Sequence, residues 1–300
     1  MINGIINVYK EKGYTSHDVV AKLRGILKQK KIGHTGTLDP EAEGVLPVCL
    51  GSGTKLCDML TDKKKEYVAE LLLGVTTDTQ DMTGTVLEEK VVNITSEQAK
   101  EVMDSFVGEI SQIPPMYSAC KVNGKRLYEL AREGKEVERK ARPVTIYELE
   151  ILQMNLPVIK FRVLCSKGTY IRTLCHDIGN KLECGGAMQS LLRTRVERFT
   201  LEQAKKLDQI EEMVKTGTFR EALTSVEAMF SDLQEIYVKD GFRSAVQNGN
   251  PLFLRQIMGK TGWSDGEQVR VYDTDKRFYG IYVFQIMKGC FKPVKMFLEG

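Results

Sequence analysis

Apolar and polar positions alternate along the chain in two rhythms. "GIINVYK" (4–10) alternates as a strand does. "TSHDVVAKLRGILKQK" opens with a capping-box pattern, Thr15 with Asp18 three residues on. Val19, Val20, Leu23, Ile26 and Leu27 follow at helical spacing, so a helix is predicted from about 16 to 30. After a glycine-rich loop, "VLPVCL" reads as a short strand and "GTKLCDMLTD" as a second helix. "KEYVAELLLG" reads as a buried strand, joined to "TVLEE" through the polar stretch "TTDTQDMTG" in a hairpin-like arrangement. "TSEQAKEVMDSFVGEI" is another capped helix, with Thr95 and Gln98 as the box. A Pro-Pro turn, a strand, the hairpin signal Asn123-Gly124 and a short helix follow. "VTIYELEIL" and "VIKFRVLC" are two more strands, "GTYIRTLCHDIGNKL" a strand end running into a helix, and "RVERFT" a late strand.

Strands and helices mix here without a regular βαβ period. That predicts an α+β domain with a mixed, mainly antiparallel central sheet and flanking helices. From about residue 231 the texture changes to short β segments split by Gly, Asn and Asp, with their own aromatics, Phe253, Trp263, Tyr272, Phe278, Tyr279 and Tyr282. The division expected is a first domain over 1–230 and a small β-rich barrel over 231–300. The alternative is a continuation of the first sheet.

Composition narrows the class. Hydrophobic content of 42% and charged content of 28% over 300 residues fit an ordinary globular protein. No run of 18 apolar residues occurs, so no transmembrane helix is expected. The first residues lack a basic leader before a long apolar core and read as a strand rather than a signal peptide. The seven cysteines are odd in number and none is spaced CxxC, which argues against a disulfide framework or a structural zinc site and for reduced thiols in a cytoplasm. The net charge of +3 says little, but "KQKK", "KKK", "KVNGKR" and "ERKAR" gather basic residues while acidic ones concentrate elsewhere. Such a distribution suits a polyanionic partner; a solvated lysine-rich surface accounts for it as well.

The chemistry is concentrated in "GHTGTLDP" (33–40), which sets His34 and Asp39 on a segment rich in Gly, Thr and Pro. Such residues mark a loop of specific backbone shape, and catalytic groups tend to sit on loops held by a scaffold. An Asp before Pro also starts ordinary turns, and spacing alone leaves both readings open.

Five segments occur in a telling order: "GHTGTLDPEAEGVLPVCLG", "KEYVAELLLGVTTDTQDMTG", "QIPPMYSACKVNGKRLYELAREG", "SKGTYIRTLCHDIG" and "LLRTRVERF". Together they closely resemble the bacterial tRNA pseudouridine-55 synthases of the TruB family, over about residues 4–199, and the C-terminal part resembles a PUA domain. The resemblance implies isomerisation of uridine to pseudouridine in the T-loop of tRNA by base flipping, with no cofactor or metal, in a cytoplasmic monomer. Asp39 matches the family's catalytic aspartate, a carboxylate that attacks the anomeric carbon or stabilises positive charge there. Arg172 matches the arginine that pairs with it. Tyr67 matches the tyrosine that stacks on the target base. Tyr170 and Leu191 match the lining of the uracil pocket, His34 a residue near the extruded nucleotides, and Asp81 a polar residue where the flipped base goes in.

The chain departs from the family pattern in two places. Ala187 stands where a histidine is common and Leu192 where a first arginine is common, while Leu191 and Arg193 keep their places. A proline near the start is replaced by Glu11, with Lys10 kept. Three other readings compete. One is a pseudouridine synthase for another RNA, such as a guide-RNA-dependent member, though no long basic tail is present. Another is a non-catalytic tRNA-binding or tRNA-folding protein. The third is a hydrolase using Asp39 as general base, which lacks a partner carboxylate or metal cluster in the matched segments.

Overall fold

The computed structural model describes residues 1–122, 124–259 and 262–298. Strand β1 (Gly4–Lys10) is almost wholly buried. Helix α1 (Ser16–Leu27) follows, with both halves of the Thr15–Asp18 capping box formed. Val19, Val20, Leu23 and Leu27 form its buried face. The helix stops short of residue 30 because Lys28 turns left-handed, at φ 50°, and its N–H closes on the Arg24 carbonyl. Gln29 then leaves the helix line and bonds the backbone of Ile2 through its side chain.

Strands β2 (Ile32–His34) and β3 (Glu43–Leu50) bracket the "GTLDP" loop. The second helix expected after them is instead a 3-10 segment, Gly51–Leu56, followed by the single turn α2 (Cys57–Thr61). Gly53 lies directly on the backbone of Gly4, an approach that a side chain would prevent. Next come β4 (Lys65–Leu73), β5 (Val75–Thr77), β6 (Val86–Glu89), α3 (Ser96–Asp104) and β7 (Gly108–Gln112). Asn123 of the expected hairpin turn lies outside the described residues; the strands flanking it, β8 (Lys121–Val122) and β9 (Lys125–Arg126), pair antiparallel before α4 (Leu127–Arg132). The domain is completed by β10 (Arg142–Asn155), β11 (Val158–Cys165), α5 (Ile171–Lys181), β12 (Gly186–Val196), β13 (Phe199–Thr200), α6 (Leu207–Lys215) and β14 (Leu223–Thr224). "GTY" is a turn rather than a strand end, with Tyr170 as the residue capping α5.

Ten of these strands form one sheet in the order β14-β1-β3-β12-β4-β11-β10-β7, with β2 beside β3 and β13 beside β12, while β5 pairs with β6 and β8 with β9 apart from it. Its pairings are antiparallel except for β12 against β3. The expected mixed, mainly antiparallel α+β architecture is therefore observed. One half of the sheet buries Leu71, Phe161 and Val163 against Leu174 and Ile178 of α5 and Met103 of α3. The other half buries Ile6, Val8 and Val48 against α1 and α6.

The C-terminal strands make a second, nearly closed sheet of their own rather than an extension of the first. They are β15 (Gln234–Val238), β16 (Leu252–Phe253), β17 (Ile257–Met258), β18 (Gln268–Asp273), β19 (Phe278–Gln285) and β20 (Cys290–Met296), with helix α7 (Arg243–Gln247) between the first two. Their order is β16-β20-β19-β18-β15-β17, around Ile236, Val271, Tyr282 and Phe291. The two sheets share an apolar cluster: Ile5, Val45 and Phe230 from the first part meet Ile281 and Phe297 from the second.

Candidate active site

The segment between β2 and β3 is held at several points. Thr35 bonds the Pro47 carbonyl through both its N–H and its hydroxyl. The Leu38 N–H donates to the hydroxyl of Ser16, which is buried in the first turn of α1. The Pro40 carbonyl accepts from the Gly13 N–H and from Lys10 Nζ, both at 2.9 Å. Lys10 is fully buried, and burial lowers its pKa to about 8 against the opposing pull of Glu43, Asp39 and Glu41. With its backbone fixed on both sides, Asp39 presents a side chain that is 37% exposed.

Arg172, in the first turn of α5, meets that carboxylate in a two-pronged contact: Nε lies 2.9 Å from Oδ2, and Nη2 donates to Oδ1 at 3.2 Å. Two further N–H groups are also engaged, one on Nη1 by the Thr79 carbonyl and one on Nη2 by the Tyr117 carbonyl. The guanidinium thus ties the Asp39 loop, the β5–β6 loop and the segment after the Pro-Pro turn to α5. A paired planar contact of this kind fixes the orientation of a carboxylate.

Asp81 approaches the same arginine, with Oδ2 3.7 Å from Nε. Its other oxygen accepts from the Thr79 hydroxyl, the Thr83 hydroxyl and the Thr83 N–H. The loop that carries it is anchored to β12 by backbone bonds from Met82 N–H to Met188 and from Met188 N–H to Gln80. Asp39, Asp81 and Leu191 line a common cavity of about 270 Å³, with Val68, Met188 and Leu192 among the other walls.

The remaining candidate residues, Tyr67, Tyr170 and His34, are not among those that line this cavity. Tyr67, on β4, is 7% exposed and shares an apolar cluster with Leu38, Ile171 and the partly buried Leu191. Burial pushes its phenol up to about 12, against the pull of the adjacent Arg193. Tyr170 is half-buried, and Gln112 holds its backbone by bonding both its N–H and its carbonyl. His34 ends β2, with its ring edge-on to His17 at 5.1 Å and its Nδ1 accepting from the Gly36 N–H. Burial, then the charges of His17 and Arg193, hold its pKa below the ordinary imidazole value.

Sequence reasoning did not single out Ser16, Gln112 or Arg193 as parts of this site. Ser16 reads as an ordinary polar residue of a helix start, and Gln112 as one leading into the Pro-Pro turn. Their partners lie 22 and 58 residues away, so no local signal marks them.

Comparison with known proteins gives a consistent assignment. Residues 24–171 match the TruB family pseudouridylate synthase N-terminal domain, and residues 172–231 the tRNA pseudouridylate synthase B C-terminal domain. A tRNA pseudouridine synthase B of Lachnoclostridium phytofermentans is 54% identical, covering 99% of this chain and all of its own. One of Alkaliphilus oremlandii is 46% identical, covering 93% of this chain and 92% of its own. Among solved structures, an H/ACA RNP bound to a substrate RNA containing 2'-deoxyuridine has a chain with TM-score 0.72 and 27% identity, covering 99% of this chain and 85% of its own. An archaeal Nop10–Cbf5 complex gives TM-score 0.71, again at 27% identity, over 99% of this chain and 86% of its own.

Fold and matches define a pseudouridine synthase, an isomerase that rearranges a nucleoside without gaining or losing atoms. Within that class, the chain belongs to the TruB family of tRNA pseudouridine synthases.

Proposed function

We propose that this isomerase converts uridine to pseudouridine at position 55 in the T-loop of tRNA, in the cytoplasm, acting as a monomer on a nucleotide flipped out of its stack. The observation that carries the reading is the two-pronged Arg172–Asp39 contact at the rim of a nucleoside-sized cavity. Breaking the N-glycosidic bond builds positive charge at the anomeric carbon. An ionised carboxylate beside that carbon attacks it or stabilises the charge. Arg172 keeps Asp39 aimed, Tyr67 stacks on the base, and Leu191 and Tyr170 bound the space in which the freed uracil turns before carbon 5 is joined to the ribose. Asp81 lies where the base goes in, and His34 faces the neighbouring nucleotides. The cycle needs no cofactor, because the bond broken and the bond made belong to one nucleoside.

The C-terminal sheet, in this reading a PUA-like module over 231–300, grips the acceptor-stem side of the tRNA. Exposed Phe253, Leu254 and Met287 lie in segments that also carry Arg255, Lys288 and Lys292, a mixture suited to RNA. The test is pseudouridine mapping on an unmodified tRNA transcript mixed with purified protein. Asp39→Asn keeps the side-chain shape and removes the charge, so turnover should vanish while tRNA affinity stays within about tenfold, or ~1.4 kcal/mol. Measurable turnover in a mutant free of deamidation sinks the assignment. Modification of uridines elsewhere, with position 55 untouched, would favour another RNA as substrate, as in the guide-dependent reading.

A further inference from the structure

Among the described residues, the bulkiest fully buried side chain is an arginine, Arg193 on β12, only 1% exposed. A buried guanidinium ordinarily has a carboxylate partner, because taking a charge out of water is costly. Among the described residues, none pairs with Arg193. Nε donates to the Val45 carbonyl at 2.7 Å, and Nη2 reaches the Gly36 carbonyl at 3.4 Å. Those two carbonyls stand on either side of Asp39, one before it and one after. The backbone repeats the arrangement: Arg193 is the register partner of Gly44 on β3, at the one parallel joint of the sheet. Gly44 sits at φ 106°, and a Cβ there would fall 2.2 Å from the Arg193 carbonyl oxygen, so the joint is closed to any side chain.

On its other flank Arg193 is the register partner of Tyr67 on β4. Paired residues on neighbouring strands share a face, so the Arg193 and Tyr67 side chains stand side by side across the β12–β4 pair. One planar cation therefore bonds a carbonyl before Asp39 and one after it, and lies beside the tyrosine paired with it across the strand. An apolar side chain of similar size would fill the same space without the desolvation cost, and such replacements of buried charges are often neutral or stabilising. What the apolar residue could not do is hold three groups from three elements at set angles, which a rigid fork of donors does.

We propose that Arg193 is a positioning residue for the reaction, clamping both ends of the Asp39 segment to Tyr67 so that carboxylate and aromatic ring keep one separation across the bound nucleoside. This rests on the reading that Asp39 and Tyr67 serve the same uridine. Its effect belongs in the chemical step, since a small displacement of a reacting group costs rate more than ground-state binding.

The experiment uses the full chain as Arg193→Lys and Arg193→Met, with 3-fluorotyrosine placed at position 67. Circular dichroism melting, kcat and KM on an unmodified tRNA transcript, and the fluorine resonance of Tyr67 are recorded. The clamp predicts folded Arg193→Lys with kcat lowered about tenfold or more, KM within about threefold, and a displaced Tyr67 resonance. Folded Arg193→Lys with unchanged kcat overturns it, and so does a loss of kcat with the Tyr67 resonance unmoved. If both variants fail to fold, the guanidinium holds the sheet rather than the site, and the proposal is again wrong. Asp39→Asn, assayed alongside, separates the two levels: turnover there removes the underlying reading whatever Arg193 does.

Discussion

Replacing Arg172 by lysine tests the centre of the site most directly, because it keeps the charge and removes the fork. The guanidinium serves both Asp39 oxygens and the carbonyls of Thr79 and Tyr117, and its side chain is only 6% exposed. One ammonium cannot reach all four acceptors. The two carbonyls are half-buried, so leaving them without a donor costs about 1 kcal/mol each, at the low end for buried acceptors. A loss of about 2 kcal/mol corresponds to a fall of about 3 °C in Tm at this chain length, where the unfolding entropy is about 0.6 kcal/mol/K. Asp39 loses its two-pronged hold. A charge-assisted bond is worth about 1.5–3 kcal/mol, which predicts kcat down roughly tenfold to a hundredfold. The assay pairs thermal melting with single-turnover pseudouridine formation at saturating transcript. Arg172→Lys matching the unmutated protein in both measurements would show that Asp39 needs neither the fork nor its geometry, and the mechanism proposed here would fall.

Asp177, on the same helix, carries a different expectation. Burial raises its pKa from 3.8 to about 6, so at neutral pH the fold holds a partly desolvated charge. Because the folded pKa lies above the unfolded one, the native state binds more protons between about pH 4 and 6, and stability falls as pH rises through that window. Asp177→Asn should therefore stabilise by about 1 kcal/mol at pH 7.5, after allowing for solvent screening, and by nothing below pH 4; equal melting gains at both pH values would contradict this. Binding to tRNA should weaken steeply with salt as lysines and arginines displace counterions from phosphates, and a dissociation constant unchanged from low to moderate salt would remove tRNA as partner. Deleting residues 231–300 strips Ile281 and Phe297 from the cluster shared with Ile5, Val45 and Phe230, so the remainder should melt lower. It should still modify a T-arm stem-loop at saturation while losing apparent affinity for whole tRNA; a folded truncation unable to modify the stem-loop would make the C-terminal module part of the active site.

The local rules were legible along the chain. The capping boxes at Thr15 and Thr95 start α1 and α3 where the sequence places them, because a cap needs only residues three apart. The alternation in "VIKFRVLC" becomes β11, with every second residue buried, since a half-covered sheet imposes a period of two. The short segments split by Gly, Asn and Asp after residue 231 become the strands of a second sheet. The ordered blocks also picked out Asp39, Arg172 and Asp81, which the structure brings into contact.

What the chain could not show by itself lies where distant elements meet. Asp39 and Arg172 are 133 residues apart, and only the packing of α5 beneath the loop joins them. Most of β12 escapes its own pattern: bulges between Met188 and Ser190, and between Arg193 and Arg195, break the period that would have announced an eleven-residue central strand. Arg193 looks like a surface cation in a row of polar letters, yet the parallel joint with β3 buries it almost completely. Lys10 is buried likewise, with its ammonium on the carbonyls of Pro40, in the Asp39 loop, and of its neighbour Glu11. Sequence periodicity says which face of an element is covered. Strand order and long-range contact decide what covers it, and those are properties of the whole fold.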